Sequence, residues 1–396
     1  MPDLVVARRF ISPVHFTEGS EQERRNEMTS QKDIFDVAGP TYLTYVNWNR
    51  TGPYDELLAL ASLAPARNCP HHRRSVMASL VQGVYVLERD RQCNRQGADA
   101  RAPAWWRFFR FEPRQVLTDA ADGSIFGAVY AFQPPLHLLD PTAAASAPHY
   151  VVAFRGTITK KGSAKRDLEL DLQLVRNGLE GRSRFCAAMQ AIHDTLAAAA
   201  AAGQHGRVWL AGHSLGSAIA TLGAKTLVRA GAPALPTFLF NAPFVSAPVE
   251  RIGDRRLRQG IRIANSFVTA GVAAVLQRAG GGAHDAAFAA MAAWMPNLFV
   301  NPADPISAEY VGYFDHRRKM EAIGAGAVGR LATRNSVKDL LLGIGKGRSG
   351  CEPLHLFPSA VLTVNRGPSP DFKTAHGIHQ WWRPDLSLEC TAHYYT

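Results

Sequence analysis

The sequence has few cysteines and no long apolar run. Its five cysteines stand far apart, and no two of them form a CxxC pair. In a chain of 396 residues this odd, scattered set argues for reduced thiols rather than for a disulfide framework. No stretch contains about 18 consecutive apolar residues, so no membrane span is expected. The first residues also lack the apolar segment of a secretory signal, so none is expected.

The charge is strongly basic, with a net charge of +11 and an isoelectric point of about 9.6. A basic surface attracts anionic partners, either nucleic acids or anionic lipid headgroups. The sequence has no Lys/Arg-rich block, zinc-finger spacing or RNP-type motif, so no nucleic acid is expected as a partner. We expect a cytoplasmic protein. Peripheral contact with an anionic membrane surface and targeting to an organelle both stay open.

Short apolar segments alternate with amphipathic ones over most of the chain. This alternation is typical of an α/β fold with a mostly parallel central sheet flanked by helices. The predicted strands cover 124–132, 149–154, 207–212, 237–240, 262–267, 298–301 and 360–364, and the predicted helices cover 54–66, 71–91, 180–202 and 217–229.

The domain organisation follows from composition. Residues 1–30 are polar and aperiodic and are expected to form a flexible N-terminal extension. Residues 31–396 are expected to form a single domain whose N-terminal part is helical to about residue 120. The Ala/Gly-rich segment 270–297 is a candidate helical flap. The aromatic and basic segment 105–112 is predicted to be a core or edge strand, with contact to a membrane or nucleic acid as the alternative.

The pentapeptide GHSLG, residues 212–216, stands between a predicted strand and a predicted helix. A tight turn there strains the backbone of the middle residue. Glycines two residues before and after it remove the side chains that would collide. The turn exposes the serine hydroxyl at the carboxyl edge of the sheet, where the amides of the next helix favour an oxyanion. We therefore predict that Ser214 is a nucleophile rather than an ordinary turn serine.

A nucleophilic serine needs a base, and the base needs a carboxylate that orients it. Asp304 is the best-placed carboxylate after Ser214, since it follows the predicted strand 298–301 in a turn that two prolines constrain. His376 and His379 follow a proline-containing loop and are both candidate bases. These two histidines lack an acidic or cysteine partner at metal-binding spacing, so no metal and no cofactor are expected.

Four stretches of the chain resemble the class 3, or fungal-type, lipases, especially a plant lipase-like branch of that α/β-hydrolase family. VVAFRGT (151–157) resembles the family strand that ends in FRGT or FRGS, and GHSLG is the family's elbow pentapeptide. FNAPFVS (240–246) stands where the family has an FGAPRVG-like segment. NPADPI (301–306) resembles its N-x-x-D-x-[VI] motif, and together the matches span roughly residues 124–379.

The resemblance implies an α/β-hydrolase fold and serine-dependent hydrolysis of a carboxylic ester. The implied substrate is a lipid acyl ester, as for a triacylglycerol lipase or a phospholipase A-like enzyme. Ser214, Asp304 and His376 would be the catalytic triad, with His379 as the rival base. By the same resemblance, Thr157 and Leu215 match the residues whose backbone amides form the family's oxyanion hole.

Two departures from the family pattern keep other functions open. After FRGT the fungal enzymes often carry an apolar lid, whereas residues 157–172 of this chain are polar and basic. The first glycine and the arginine of the FGAPRVG-like segment are replaced by Asn241 and Phe244. One alternative is therefore a non-catalytic α/β-hydrolase scaffold that binds a hydrophobic ligand or a protein. Another is a carboxylesterase or thioesterase with small substrates.

Overall fold

The structure is a computed structural model that describes residues 70–133, 147–158, 183–244, 282–323, 356–383 and 386–395, without the side chains of 70–72 and 282–287. All of these residues belong to one compact unit, Ala38–Thr396, and the second unit, Met1–Val37, lies outside the described ranges. The predicted extension 1–30, the predicted helix 54–66 and the predicted strand 262–267 also lie outside them.

The strands of the described chain form one eight-stranded sheet, and their order across the sheet follows their order along the sequence. Strands β3 to β7 are parallel to one another, whereas β1, β2 and β8 are antiparallel to their neighbours. The strands are β1 (Phe111–Thr118), β2 (Ile125–Phe132), β3 (Tyr150–Phe154), β4 (Val208–His213), β5 (Thr237–Phe240), β6 (Asn297–Val300), β7 (Ala360–Asn365) and β8 (Leu388–His393). This sheet confirms the predicted α/β class.

Helices flank the sheet, and in the described ranges none is long and apolar enough to cross a membrane. They are α1 (Pro70–Gln92), α2 (Ala104–Arg107), α3 (Ser183–Ala201), α4 (Leu215–Arg229), α5 (Gly282–Ala293), α6 (Glu309–Ala322) and α7 (Phe372–His376), with short 3-10 helices at Gly97–Asp99 and Ile378–Trp382. Of the candidate flap 270–297, the structure describes α5 and the start of β6.

The prediction of a strand over 105–112 was wrong for most of that segment. Trp105 and Trp106 lie in helix α2, where both side chains are buried, and the strand begins only at Phe111. The part of the chain before residue 120, expected to be helical, therefore also contains strand β1. Packing of the two large rings into the core outweighs the local preference of aromatic residues for strands.

Side chains of the parallel strands alternate between two buried faces of the sheet. Val152 and Leu210 point to the face on which helices α3 and α4 pack. On the other face, Trp209 stacks on Phe238 with ring centroids 5.3 Å apart, and Arg73 of α1 lies over the Trp209 ring. Because helices cover both faces, the loops at the carboxyl edge of the sheet are the natural place for a site.

Candidate active site

Ser214 makes the turn between β4 and α4 by itself. Strand β4 ends at His213 and helix α4 begins at Leu215, so one residue reverses the chain direction. Its backbone angles are φ 54° and ψ −124°, a region that costs a residue other than glycine about 1–3 kcal/mol. The Ser214 amide donates a hydrogen bond of 3.0 Å to the carbonyl of Phe240, which ties the turn to β5.

The two glycines of GHSLG lie where β4, α4 and the end of β3 meet. A Cβ atom at Gly212 would lie 2.6 Å from the backbone nitrogen of Ser217. A Cβ atom at Gly216 would lie 2.6 Å from the carbonyl carbon of Phe154 and 2.7 Å from the carbonyl oxygen of Arg155. Backbone atoms cannot move aside as a flexible side chain can. Any larger residue at either position would therefore displace the turn that holds Ser214.

Two further loops bring a histidine and a carboxylate to Ser214. Asp304 follows strand β6, and His376 is the last residue of helix α7. The Nε2 atom of His376 lies 3.0 Å from Ser214 Oγ, and its Nδ1 atom lies 3.1 Å from Asp304 Oδ2. The second contact is at ion-pair distance, but the ring N–H is not aligned closely enough for a hydrogen bond. The structure thus brings together the three residues that the sequence singles out.

Asp304 is fully buried, and several donors surround its carboxylate. Ser307 Oγ donates at 2.6 Å and Asn241 Nδ2 at 2.8 Å to Oδ2, while the Ile306 amide donates at 3.1 Å to Oδ1. Burial alone would raise the pKa of Asp304, but His376 and these hydrogen bonds outweigh it and hold that pKa below its ordinary value. The carboxylate is therefore ionised at neutral pH, as a residue that orients an imidazole should be.

His379, the rival base, contacts neither Ser214 nor Asp304 within the described residues. Its Nδ1 atom is buried without a hydrogen-bond partner in the described residues. Within those residues, the histidine that contacts both Ser214 and Asp304 is His376. The described chain also contains no group of three His, Cys, Asp or Glu side chains that could hold a metal ion.

The FRGT loop after β3 runs directly against the nucleophile. A Cβ atom at Gly156 would lie 2.8 Å from the Cβ atom of Ser214, so only glycine lets the loop pass this closely. Arg155 is buried and braces the loop, because its Nη1 atom donates to the carbonyl of Gly156 at 2.7 Å. Thr157 follows on this loop. Leu215 is the first residue of α4, where amides have no partner within the helix.

A chain of hydrogen bonds, which no motif in the sequence predicts, joins the FRGT loop to the histidine loop. The Gly156 amide donates to the hydroxyl of Tyr85 on α1 at 2.8 Å, and that hydroxyl lies 2.8 Å from His213 Nδ1. His213 Nε2 lies 2.7 Å from the carbonyl of His376. Because a carbonyl only accepts, Nε2 carries the proton and Nδ1 accepts from Tyr85. Burial, and next the neighbouring His376, lower the pKa of His213 to about 3, so its ring is neutral.

Comparisons with known proteins define the class to which the chain belongs. A family model described as "Lipase (class 3)" matches residues 151–268. The chain is 44% identical over 380 residues to "GDSL esterase/lipase At4g10955" from Arabidopsis thaliana, with 93% of this chain and 99% of that protein covered. The chain therefore belongs to the class 3 lipase family, and it is a carboxylic ester hydrolase. It contains GHSLG and not the tetrapeptide GDSL.

Two solved structures resemble the chain only distantly. Carboxyl esterase 2 from the mycorrhizal fungus Tuber melanosporum is 15% identical, with a TM-score of 0.28 and coverage of 55% of this chain and 74% of that one. An esterase from Pyrobaculum calidifontis is 14% identical, with a TM-score of 0.26 and coverage of 69% of this chain and 86% of that one. The α/β-hydrolase fold is assigned from the sheet and the family instead.

Proposed function

We propose that Ser214, His376 and Asp304 form the catalytic triad of an enzyme that hydrolyses lipid acyl esters. The supporting observation is that the three side chains lie next to one another at the carboxyl edge of the sheet. His376 lies 3.0 Å from Ser214 Oγ through one ring nitrogen and 3.1 Å from Asp304 Oδ2 through the other. Such an arrangement, in a class 3 lipase, is what acyl transfer through a serine requires.

In the first half of the reaction, Ser214 Oγ attacks the ester carbonyl carbon while His376 Nε2 takes the hydroxyl proton. The amides of Thr157 and Leu215 donate to the oxyanion of the tetrahedral intermediate, and each such donor is worth about 3 kcal/mol. The bond to the alcohol then breaks, and His376 gives its proton to the departing oxygen. Ser214 is left acylated.

In the second half, a water molecule attacks the acyl carbon and His376 takes one of its protons. The bond to Ser214 Oγ breaks, the serine regains the proton, and the carboxylic acid leaves. In both halves the charge of Asp304 stabilises the protonated imidazole and fixes its orientation. Asp304 is ionised at neutral pH because hydrogen bonds and His376 keep its pKa low.

The surroundings of Ser214 favour an apolar acyl group over a small polar substrate. Ser214 is only 4% exposed, and its neighbour Leu215 packs with Phe185 and Leu222 in an apolar cluster. Burial excludes water and strengthens the electrostatic interactions on which the reaction depends. We therefore propose lipid acyl esters as the substrates.

The basic charge supports peripheral contact with anionic membranes. Part of this charge lies at the edge of the sheet opposite Ser214. Arg207 directly precedes β4, and both Arg207 and Arg114 lie close enough to His149 to lower the pKa of that histidine, which burial lowers most. Binding through that edge would attach the protein to a surface without placing Ser214 against it.

A substrate screen tests the proposal. Triacylglycerol, phospholipid and p-nitrophenyl esters of increasing chain length are offered to the wild type, to Ser214→Ala and to Ser359→Ala. Loss of the nucleophile should lower kcat at least about a thousandfold. Ser359 is a matched control, since it is buried, donates to the carbonyl of Ala292, and directly precedes β7 at the edge of the sheet opposite the triad. We expect its replacement to leave activity within about twofold.

The outcomes separate the parts of the proposal. Wild-type activity in Ser214→Ala would overturn the triad. If the rate falls steadily as the acyl chain lengthens, the substrate is a small ester and not a lipid. Vesicles containing anionic lipid should bind the protein more tightly than neutral vesicles, and binding should weaken as salt is added. Salt-insensitive binding would contradict the electrostatic contact.

A further inference from the structure

We infer that Asn241 is a positioning residue of this site, whose single amide group holds both the acid and the loop that carries the base. The inference rests on the proposed triad. Asn241 is the second residue of FNAPFVS, and the FGAPRVG-like segment of the family has a glycine at this position. The residue directly follows strand β5, between the strand ends that lead to Ser214 and Asp304.

The backbone explains why asparagine can replace glycine here. Asn241 has a φ of 49°, in the left-handed region that glycine adopts freely and asparagine adopts more readily than most other residues. The backbone N–H of Asn241 donates to the carbonyl of Phe299 at 2.9 Å, and this hydrogen bond fixes the turn against β6. The position therefore tolerates Asn241 while adding an amide group that glycine lacks.

Both polar atoms of the Asn241 side chain form hydrogen bonds. Its Nδ2 atom donates to Asp304 Oδ2 at 2.8 Å and to the carbonyl of Ala375 at 3.1 Å. Its Oδ1 atom accepts from Trp381 Nε1 at 2.6 Å. Because an indole nitrogen only donates, this last contact decides which atom of the amide is oxygen.

The two hydrogens of one planar group thus reach both partners of the proposed acid–base pair. One goes to Oδ2 of Asp304, which is the oxygen that faces His376 Nδ1. The other goes to the backbone directly before His376. Asn241 is fully buried, so water cannot take over either contact if the side chain is removed.

Neighbouring amides support the same loop from the next strands. Gln380 Nε2 donates to the carbonyl of Ala375 at 2.7 Å, and Gln380 Oε1 accepts from Asn301 at 2.8 Å and from Asn365 at 3.0 Å. Asn301 and Asn365 lie at the ends of β6 and β7. Asn241 differs from these residues because it also contacts the carboxylate of Asp304.

The variant Asn241→Gly removes the amide and keeps a residue that adopts the required φ. The loss of a hydrogen bond to the charged carboxylate of Asp304 should raise the activation free energy. We therefore expect kcat to fall roughly 10- to 100-fold. KM should change by less than about threefold, because Asn241 is fully buried and its side chain contacts Asp304 and the loop that carries His376.

The variant Asn241→Asp distinguishes positioning from simple packing. A protonated aspartic acid can donate to Asp304 in place of the amide, whereas an ionised one cannot and repels it. The ratio of kcat/KM in the variant to that in the wild type should therefore fall as pH rises, by about tenfold or more between pH 5 and pH 9. A residue that only fills space would give a ratio independent of pH.

The matched control is Asn297→Asp, at the opposite end of the neighbouring strand β6. Asn297 is partly buried, and its Nδ2 atom donates to the carbonyl of Thr237 at 3.4 Å. The same change of amide to acid, away from the triad, should give a ratio that does not vary with pH. Ser214→Ala is measured in parallel in the same ester assay.

The outcomes are distinguishable. An active Ser214→Ala enzyme would overturn the triad and, with it, the role of Asn241. If Ser214→Ala is inactive, a wild-type kcat in Asn241→Gly or a pH-independent ratio in Asn241→Asp would overturn the role of Asn241 alone. If Asn241→Gly fails to fold, the nearly isosteric Asn241→Asp decides the question through its pH profile.

Discussion

Replacing His213 by glutamine should make the protein less sensitive to mild acid. His213 lies between Tyr85 and the carbonyl of His376, and its ring is neutral and fully buried. Glutamine can still donate to that carbonyl, but it cannot take up a proton as pH falls. The variant therefore removes one titrating group while it keeps a donor in the same place.

The size of the effect follows from the pKa of His213. Burial and the neighbouring His376 lower it from 6.5 to about 3 in the folded protein. As pH falls below 6.5, the unfolded chain binds a proton that the folded chain does not, so the free energy of unfolding decreases by about 1.4 kcal/mol per pH unit. Between pH 7 and pH 5 the loss is about 2 kcal/mol, and it would continue to about pH 3.

Urea unfolding followed by tryptophan fluorescence at pH 7 and pH 5 measures this difference. The wild type should lose about 2 kcal/mol more stability between these pH values than His213→Gln does, because the other titrating groups are shared. The exposed residue His205 supplies a control, and His205→Gln should follow the wild type. Equal losses in wild type and His213→Gln would refute the buried, neutral state of His213.

Two further substitutions test the site geometry. Asp304→Asn keeps the shape of the side chain and removes its charge, so kcat should fall by about 10³- to 10⁴-fold in a steady-state ester assay, as in other serine hydrolases. A loss below about tenfold would contradict its role in orienting His376. Gly156→Ala would place a Cβ atom 2.8 Å from both Ser214 Cβ and Tyr85 Oη. It should slow labelling of Ser214 by a fluorophosphonate more than about tenfold, and an unchanged rate would show that the loop can move aside.

The parallel strands could be predicted because they are buried on both faces and read as continuous apolar runs. The strand TFLF was predicted at 237–240, the bounds that the structure has. Strand β8 (Leu388–His393) was not predicted, since it lies at the sheet edge and its exposed or partly buried side chains show no apolar run. The prediction of a strand over 105–112 was wrong because Trp105 packs on Trp382, with ring centroids 5.1 Å apart. These two residues are far apart in sequence, so local sequence does not indicate the contact.

Some residues of the candidate site could likewise be predicted from local sequence, whereas others depend on contacts between distant parts of the chain. Ser214 directly follows β4, and Asp304 lies in the turn shortly after β6, so local sequence predicts their place at the sheet edge. The choice between His376 and His379 depends on how a distant loop is held, and Asn241 holds it across more than a hundred residues of sequence. Tyr85 lies on an ordinary buried helix face, and only the folded chain brings it to His213. The catalytic roles of these residues stay predictions.

Helix α1 sets a limit on how far the protein can be shortened. The family match begins only at residue 151, yet Tyr85 of this helix accepts from the Gly156 amide beside the nucleophile. Glu88, one turn further along, accepts from the Ile125 amide at the start of β2. A fragment that begins at residue 151 would keep Ser214, Asp304 and His376 but lose these contacts of helix α1. The smallest functional unit of this hydrolase therefore includes a helix that its signature motifs do not mark.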